Sequence, residues 1–298
     1  MKGPSLAGTV LPFVLLCASP ALAQESGPDE EHSGPLWSLS IGAGTSLAKG
    51  ADDPWSASVD LSRSLGDGRV GIGYSRSRDS GIPGVLLALG SKTDTVTLSG
   101  GYSIGALGLD AYVARGWRTF DARTLRRRTG QTVTLDGKGK SVAFGASASY
   151  WLPLSDSTSI SPYAAIDFDR TDTARAALLP VLGLVSARDR EKGTTGSAGV
   201  SLDHAFGAGL QHSIGATAGF VTTSNAAATS GTLTRRAGGT RTLRRRPGTS
   251  GSDSWGEIGA NAGFSLGPAV SLSASAMRTI GAAGPESTSL SAGLSFAF

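Results

Sequence analysis

Asp167 and Asp169 lie two residues apart in a segment with strand character, so both carboxylates fall on one face. A carboxylate pair can activate water, but such proton transfer also calls for a partner such as an imidazole. The three histidines are elsewhere: His32 near the N-terminus, and His204 and His212 on either side of the turn Phe206 to Gly209. His212 and Ser213 are adjacent, and a strand sends adjacent side chains to opposite faces, so they form no dyad. Cys17 is the only cysteine, which leaves no disulfide or thiolate metal site. No catalytic residue, metal or cofactor is expected.

A second constellation is basic. Arg123-Thr124-Leu125-Arg126-Arg127-Arg128 recurs as Arg241-Thr242-Leu243-Arg244-Arg245-Arg246, the second copy preceded by Arg235 and Arg236. Six basic and two acidic side chains fall in 121–140, and six basic and one acidic in 222–253. Guanidinium forks grip two oxygens at once, so these residues suit phosphate-rich polymers, with the phosphates of lipopolysaccharide as the expected partner. No aromatic platform is interleaved with the arginines, so nucleic acid is not expected.

The N-terminus states where these groups must work. Lys2, the apolar run Leu11 to Cys17 and the small residues Ala21-Leu22-Ala23 make residues 1–23 an expected signal peptide. Leu16 precedes Cys17 where a lipoprotein signal has a small residue, so lipidation is not expected. Residues 24–35, with Asp29, Glu30 and Glu31, read as a short acidic tail. Beyond it no run of about 18 apolar residues could form a membrane helix. Yet Gly is 43 of 298 residues and charged residues only 17%, too few charges for an ordinary soluble surface. A surface that is apolar at every second residue resolves the conflict.

Residues 36–298 carry that alternation throughout. Trp37, Leu39, Ile41, Ala43, Thr45 and Leu47 alternate with Ser38, Ser40, Gly42, Gly44 and Ser46. Further segments fall at 55–62, 69–78, 94–104, 107–120, 141–152, 159–170, 194–206, 210–221, 254–266 and 270–279, and a last one ends at Phe298. Their connections sort by parity. Gly66 to Gly68, Gly105 to Ala106, Pro153 to Thr158, Gly207 to Gly209 and Gly267 to Ala269 are short, while 79–91, 121–140, 171–193 and 222–253 are long. The expected fold is all-β: a transmembrane antiparallel up-and-down barrel of about 12 strands, with short periplasmic turns and long extracellular loops. Trp37, Trp55, Trp117, Trp151 and Trp255 are placed at strand ends as a membrane girdle. Arg115 fits poorly on the apolar face of its strand and requires snorkelling or a bulge.

On this pattern Asp60, Asp110, Arg118, Asp167, Asp169, Asp203, Glu257 and Asn261 line the lumen among small residues. The apolar segments 82–89 and 176–185 sit in connections that should face water, and are expected to fold inward as a plug or dip into the outer leaflet.

The terminal Ser289-Leu290-Ser291-Ala292-Gly293-Leu294-Ser295-Phe296-Ala297-Phe298 resembles the signal, carried here by Phe296 and Phe298, that barrel-assembly machinery reads in outer-membrane proteins. Together with Tyr150-Trp151-Leu152-Pro153 and Ile160-Ser161-Pro162-Tyr163-Ala164-Ala165-Ile166-Asp167-Phe168, the chain is similar to the translocator barrel of autotransporters. That resemblance implies an integral outer-membrane protein. Autotransporters carry a large passenger and a lumenal helix, whereas only Gln24 to Pro35 precede the first strand here. The expectations are a non-enzymatic small-solute pore or structural surface protein in contact with outer-membrane lipid, or alternatively a translocator barrel without its passenger. An outer-membrane phospholipase and omptin-type proteases also resemble this barrel, but both place a histidine beside their catalytic group, so hydrolysis is the remote alternative.

Overall fold

A computed structural model of the protein describes residues 36–48, 54–79, 90–126, 132–179, 183–225, 231–234, 240–243, 251–281 and 287–298. The expected signal peptide 1–23, the acidic tail 24–35, the apolar segment 82–89, and Arg127, Arg128, Arg235, Arg236, Arg244, Arg245 and Arg246 lie outside the described residues.

Alternating side chains make strands, and the chain has twelve long ones: β1 (Trp37–Ala48), β2 (Trp55–Leu65), β3 (Gly68–Asp79), β4 (Ser91–Ile104), β5 (Leu107–Arg126) and β6 (Thr132–Tyr150). The second half supplies β7 (Thr158–Leu179), β8 (Gly183–Phe206), β9 (His212–Thr223), β10 (Asp253–Gly267), β11 (Val270–Ile280) and β12 (Ser287–Ala297). Each pairs antiparallel with its sequence neighbours, and β1 pairs with β12, so the sheet closes on itself. At the seam the backbones of Trp37 and Phe298 exchange two hydrogen bonds of 2.9 Å. Both ends of the barrel therefore meet at one rim. The two-residue turns after Leu65 and Ile104 at that rim begin with Gly66 and Gly105, at φ 60° and 56°, a left-handed conformation that favours glycine.

The distribution of side chains is the reverse of a soluble domain. Among the described residues, twenty-four buried side chains are polar or charged and only six are hydrophobic. The outer wall is Ile41, Val59, Ile72, Leu98, Val113, Phe144, Ile166, Leu202, Ile214 and Ile258, all exposed. Soluble sheets bury their apolar face; this one offers it to lipid.

Three expectations need correction. The segments 121–140 and 171–193 are not loops: β5 and β6 continue upward until Arg126 opposes Thr132, and β7 and β8 until Leu179 opposes Gly183. Residues 176–179 and 183–185 thus belong to a strand pair, not to a plug, because the backbone completes its hydrogen bonds with the neighbouring strand. Trp117 accordingly lies midway along its strand, not at its end. Trp255 does not join the girdle either. It shares the inward parity of Glu257, is 5% exposed, and its indole Nε1–H donates to Glu257 Oε1 at 2.7 Å. Trp37, Trp55, Trp117 and Trp151 do face outward.

Arg115 also faces outward. The register irregularity in this hairpin lies farther up, between Phe120 and Arg123, and the Arg115 guanidinium instead sits 5.8 Å from the Trp117 ring. At the seam-bearing rim Arg63 covers Trp37 in the same way at 5.3 Å.

Inside, strand contacts depend on missing side chains. The Tyr112 ring crosses Gly145 so that its hydroxyl donates to Asp167 Oδ1 at 2.6 Å. A Cβ on Gly145 would stand 2.2 Å from that oxygen and 2.7 Å from the ring. Overpacking of this kind costs roughly 1–3 kcal/mol, so Gly145→Val is expected to lower the temperature of the barrel's unfolding shift on gels by about 5 °C. An unchanged transition would show that the Tyr112 crossing does not tie the wall together.

Candidate functional site

The interior is the site the fold builds. Its walls are Ser40, Ser56, Ser58, Ser75, Ser77, Thr93, Thr95, Thr97, Ser161, Thr195 and Ser201, all buried. Hydroxyls bridge the strands from inside, as in Ser40 to Ser295 at 2.8 Å, Ser38 to Ser62 at 2.7 Å and Ser275 to Ser291 at 2.6 Å. Such short side chains reach little beyond the wall.

The charged groups predicted to face inward are all on that side. Asp60 lies between Ser58 and Ser62 in the inward series of β2, and Asn261 Nδ2–H reaches Asp203 Oδ1 at 3.4 Å. Asp110 accepts from Arg69 at 2.8 Å, a lumenal arginine that the sequence reasoning missed, although its parity with Gly71 and Gly73 carried the signal. Higher up, Arg118 is buried, donates from Nε to Ser91 Oγ at 2.9 Å, lies 3.8 Å from Asp79 and covers the Phe120 ring at 4.8 Å. Asp79 is a second missed lumenal charge. Asp167 and Asp169 are both buried on the inner face of β7, opposite Thr195 and Gly193. With the buried Glu257, seven acidic and two basic groups thus share the interior.

The arrangement lacks a hydrolytic constellation among the described residues. His204 points outward, with Nδ1 3.0 Å from Thr158 Oγ1. His212 packs between Phe206 and Phe264, at ring centroid distances of 5.4 and 5.8 Å. Ser213 is on the inner side, away from it. The proton partner of the aspartate pair is Tyr112, which neutralises no charge. No group of three or more His, Cys, Asp or Glu able to hold a metal occurs among the described residues.

A ring of twelve strands with both ends at one rim, polar within and apolar without, is shared by several families. The family model of the autotransporter β-domain matches residues 37–276, from the first strand into the eleventh. The chain belongs to that family. The β domain of the Bordetella autotransporter BrkA superposes with a TM-score of 0.59 at 17% identity, covering 89% of this chain and 99% of that one. The translocator domain of the autotransporter NalP from Neisseria meningitidis gives 0.60 at 17% identity, with 90% of each chain covered. The transport unit of the autotransporter AIDA-I from Escherichia coli gives 0.51 at 12% identity, with 94% and 95% covered. At these identities the likeness is one of fold. No curated protein matches in sequence.

As a β-barrel of the autotransporter family, the protein carries its long β5–β6 and β7–β8 hairpins at the rim opposite the seam. Arg123 and Arg126 are exposed on the first of these, and residues 241–243 of the second arginine copy form a separate short hairpin with 231–233. Strands rise about 3.4 Å per residue, so Arg126 stands on the order of 20–30 Å beyond Trp117. Purified wild-type protein and Asp167→Asn are expected to turn over neither phospholipid nor peptide above a blank. Turnover abolished by Asp167→Asn would make the aspartate pair an active site.

Proposed function

We propose that this barrel is a translocator: a non-enzymatic conduit through which an extended polypeptide segment crosses the outer membrane. One observation carries it. Along the family-matched span the inner face is built mainly from Ser, Thr, Gly and Asp side chains, with Tyr112, Phe120, Tyr163, Val221 and Trp255 as the few large ones, so a passing chain meets a largely polar wall that hydrogen-bonds to itself or to water. An excess of carboxylates keeps that path hydrated and raises the local concentration of cations. The backbone enters β1 at the periplasmic rim, so a segment joined ahead of Trp37 starts at the mouth it would have to pass.

The test places an epitope between Gln24 and Pro35. Digestion of the epitope by protease added to intact cells is the expected outcome; a folded barrel that leaves it in the periplasm overturns the proposal.

The same lining supports passage of small solutes. Planar-bilayer recordings are expected to show unitary, cation-preferring conductance, with the preference falling by roughly half when Asp167 and Asp169 are both changed to Asn. Absence of conductance, even after deletion of 82–89, would end the pore function.

A further inference from the structure

The outer wall of β5–β8 holds a feature that conduction does not use. Arg115, Val142, Arg170 and Lys192 stand opposite one another across three successive ladders. The next outward-facing row toward the exterior is Trp117, Lys140, Asp172 and Arg190, and the next toward the membrane centre is Val113, Phe144, Phe168 and Thr194. Between these rows lies an open groove of about 550 Å³, lined among others by Arg115, Lys140, Arg170 and Lys192 above and by Phe144 and Phe168 below. The two phenylalanine rings are stacked at 4.9 Å, giving the groove a flat apolar floor.

The charges on this wall are unbalanced. Asp172 is the outward-facing carboxylate of these rows, and it is shared by Arg170, at 3.1 Å, and Arg190; Asp169, which also borders the groove, is buried with its side chain on the inner face. Among the described residues Arg115, Lys140 and Lys192 make no ion pair. On the neighbouring wall Arg76 is paired with Asp94 at 2.7 Å and Arg78 with Asp121 at 3.6 Å, so that among the described residues only Lys92 there makes no ion pair. On β9–β12 Arg278 is the single outward-facing cation among the described residues. A cation facing lipid costs roughly 2–4 kcal/mol at the bilayer centre and little at the interface, so three of them beside an aromatic floor mark headgroup level and call for an anion from the lipid side.

We infer that this groove is a specific site for a phosphorylated glycolipid of the outer leaflet, the lipid A part of lipopolysaccharide. Its phosphates sit among Arg115, Lys140, Arg170 and Lys192, and its acyl chains run down over Val142 and the Phe144–Phe168 stack. The match is one of amphiphilic order: ammonium and guanidinium donors outermost, rings and branched side chains next, hydrocarbon below. Arginine supplies paired donors to a phosphate and lysine a mobile point charge. The site differs from the arginine-rich hairpins, whose Arg123 and Arg126 stand on an upward extension beyond this row. It depends on orientation in the outer membrane and not on what passes through the lumen, so its failure leaves the translocator function standing.

Native mass spectrometry of the full-length folded barrel, titrated with diphosphorylated lipid A, tests it. One lipid is expected to bind per barrel. The combined change Arg115→Gln, Arg170→Gln and Lys192→Gln is expected to weaken binding at least tenfold, as is dephosphorylation of the lipid, since each charge-assisted contact is worth about a factor of ten. The paired change Arg123→Gln and Arg126→Gln is expected to leave it within about twofold. Gel mobility before and after heating verifies that each variant is folded; should the triple variant fail that check, Lys192→Gln alone is expected to lose about tenfold. Undiminished binding by a folded triple or single variant, loss of binding in the Arg123/Arg126 variant, or equal competition by phosphatidylglycerol would overturn the assignment.

Discussion

In hydrocarbon a peptide group has no water to fall back on, so every backbone N–H and C=O in the membrane must find its partner within the protein. The ladder between β1 and β12, from Ser38 opposite Ala297 to Ala48 opposite Ser287 with the Trp37–Phe298 hydrogen bonds at its end, completes that requirement by pairing the last open edges. Much else follows from closure. A closed sheet has an inside and an outside, strand geometry assigns alternate residues to each, and the medium on each side selects what they are. Serine at 40, 56, 58, 75 and 77 is buried for the same reason that isoleucine at 41, 72 and 258 is exposed.

Because that constraint acts at every second residue, it left a trace in the sequence wherever the wall is in lipid. The twelve strands and the inward parity of the eight lumenal polar residues were legible on it. The trace ends where lipid ends. Above Trp117 and Phe168 both faces of β5–β8 meet water or each other, so residues 121–126, 132–140, 171–179 and 183–193 lost their alternation and resembled loops, although their backbone pairing continues. Trp255 failed for another reason. Its type, an aromatic near a strand end, pointed outward, while its parity with Glu257 and Asn261 pointed inward, and parity prevailed because neighbouring side chains on a strand cannot share a face. The indole is tolerated inside since Glu257 accepts its N–H.

The same geometry sorts charge. The chain carries 27 basic and 23 acidic side chains, a near balance that conceals a strong separation. Carboxylates at 60, 79, 110, 167, 169, 203 and 257 are turned inward, with Arg69 and Arg118 as their partners, while Arg76, Arg78, Arg115, Lys138, Lys140, Arg170 and Lys192 are turned outward. The inner face thus carries an excess of carboxylates and the outer face of β5–β8 an excess of cations. Net charge therefore describes neither surface, and a substitution of one lysine has opposite consequences on the two sides of the wall.

Arg115 shows how far such an argument reaches. On its strand it interrupts Leu109, Ala111 and Val113, and in isolation it is a defect that either of two local remedies could repair. With the register known, it stands level with Arg170 and Lys192 on strands that lie far away in sequence, above two stacked rings. A single misplaced cation would be accommodated by snorkelling, and its stacking on Trp117 would suffice. Three unpaired cations converging from β5, β6 and β8, beside an arginine on β7, repel one another, and the wall must bear that repulsion unless an anion joins them. What a pattern of single residues registers as an exception is thus, in the folded barrel, the shared edge of four strands.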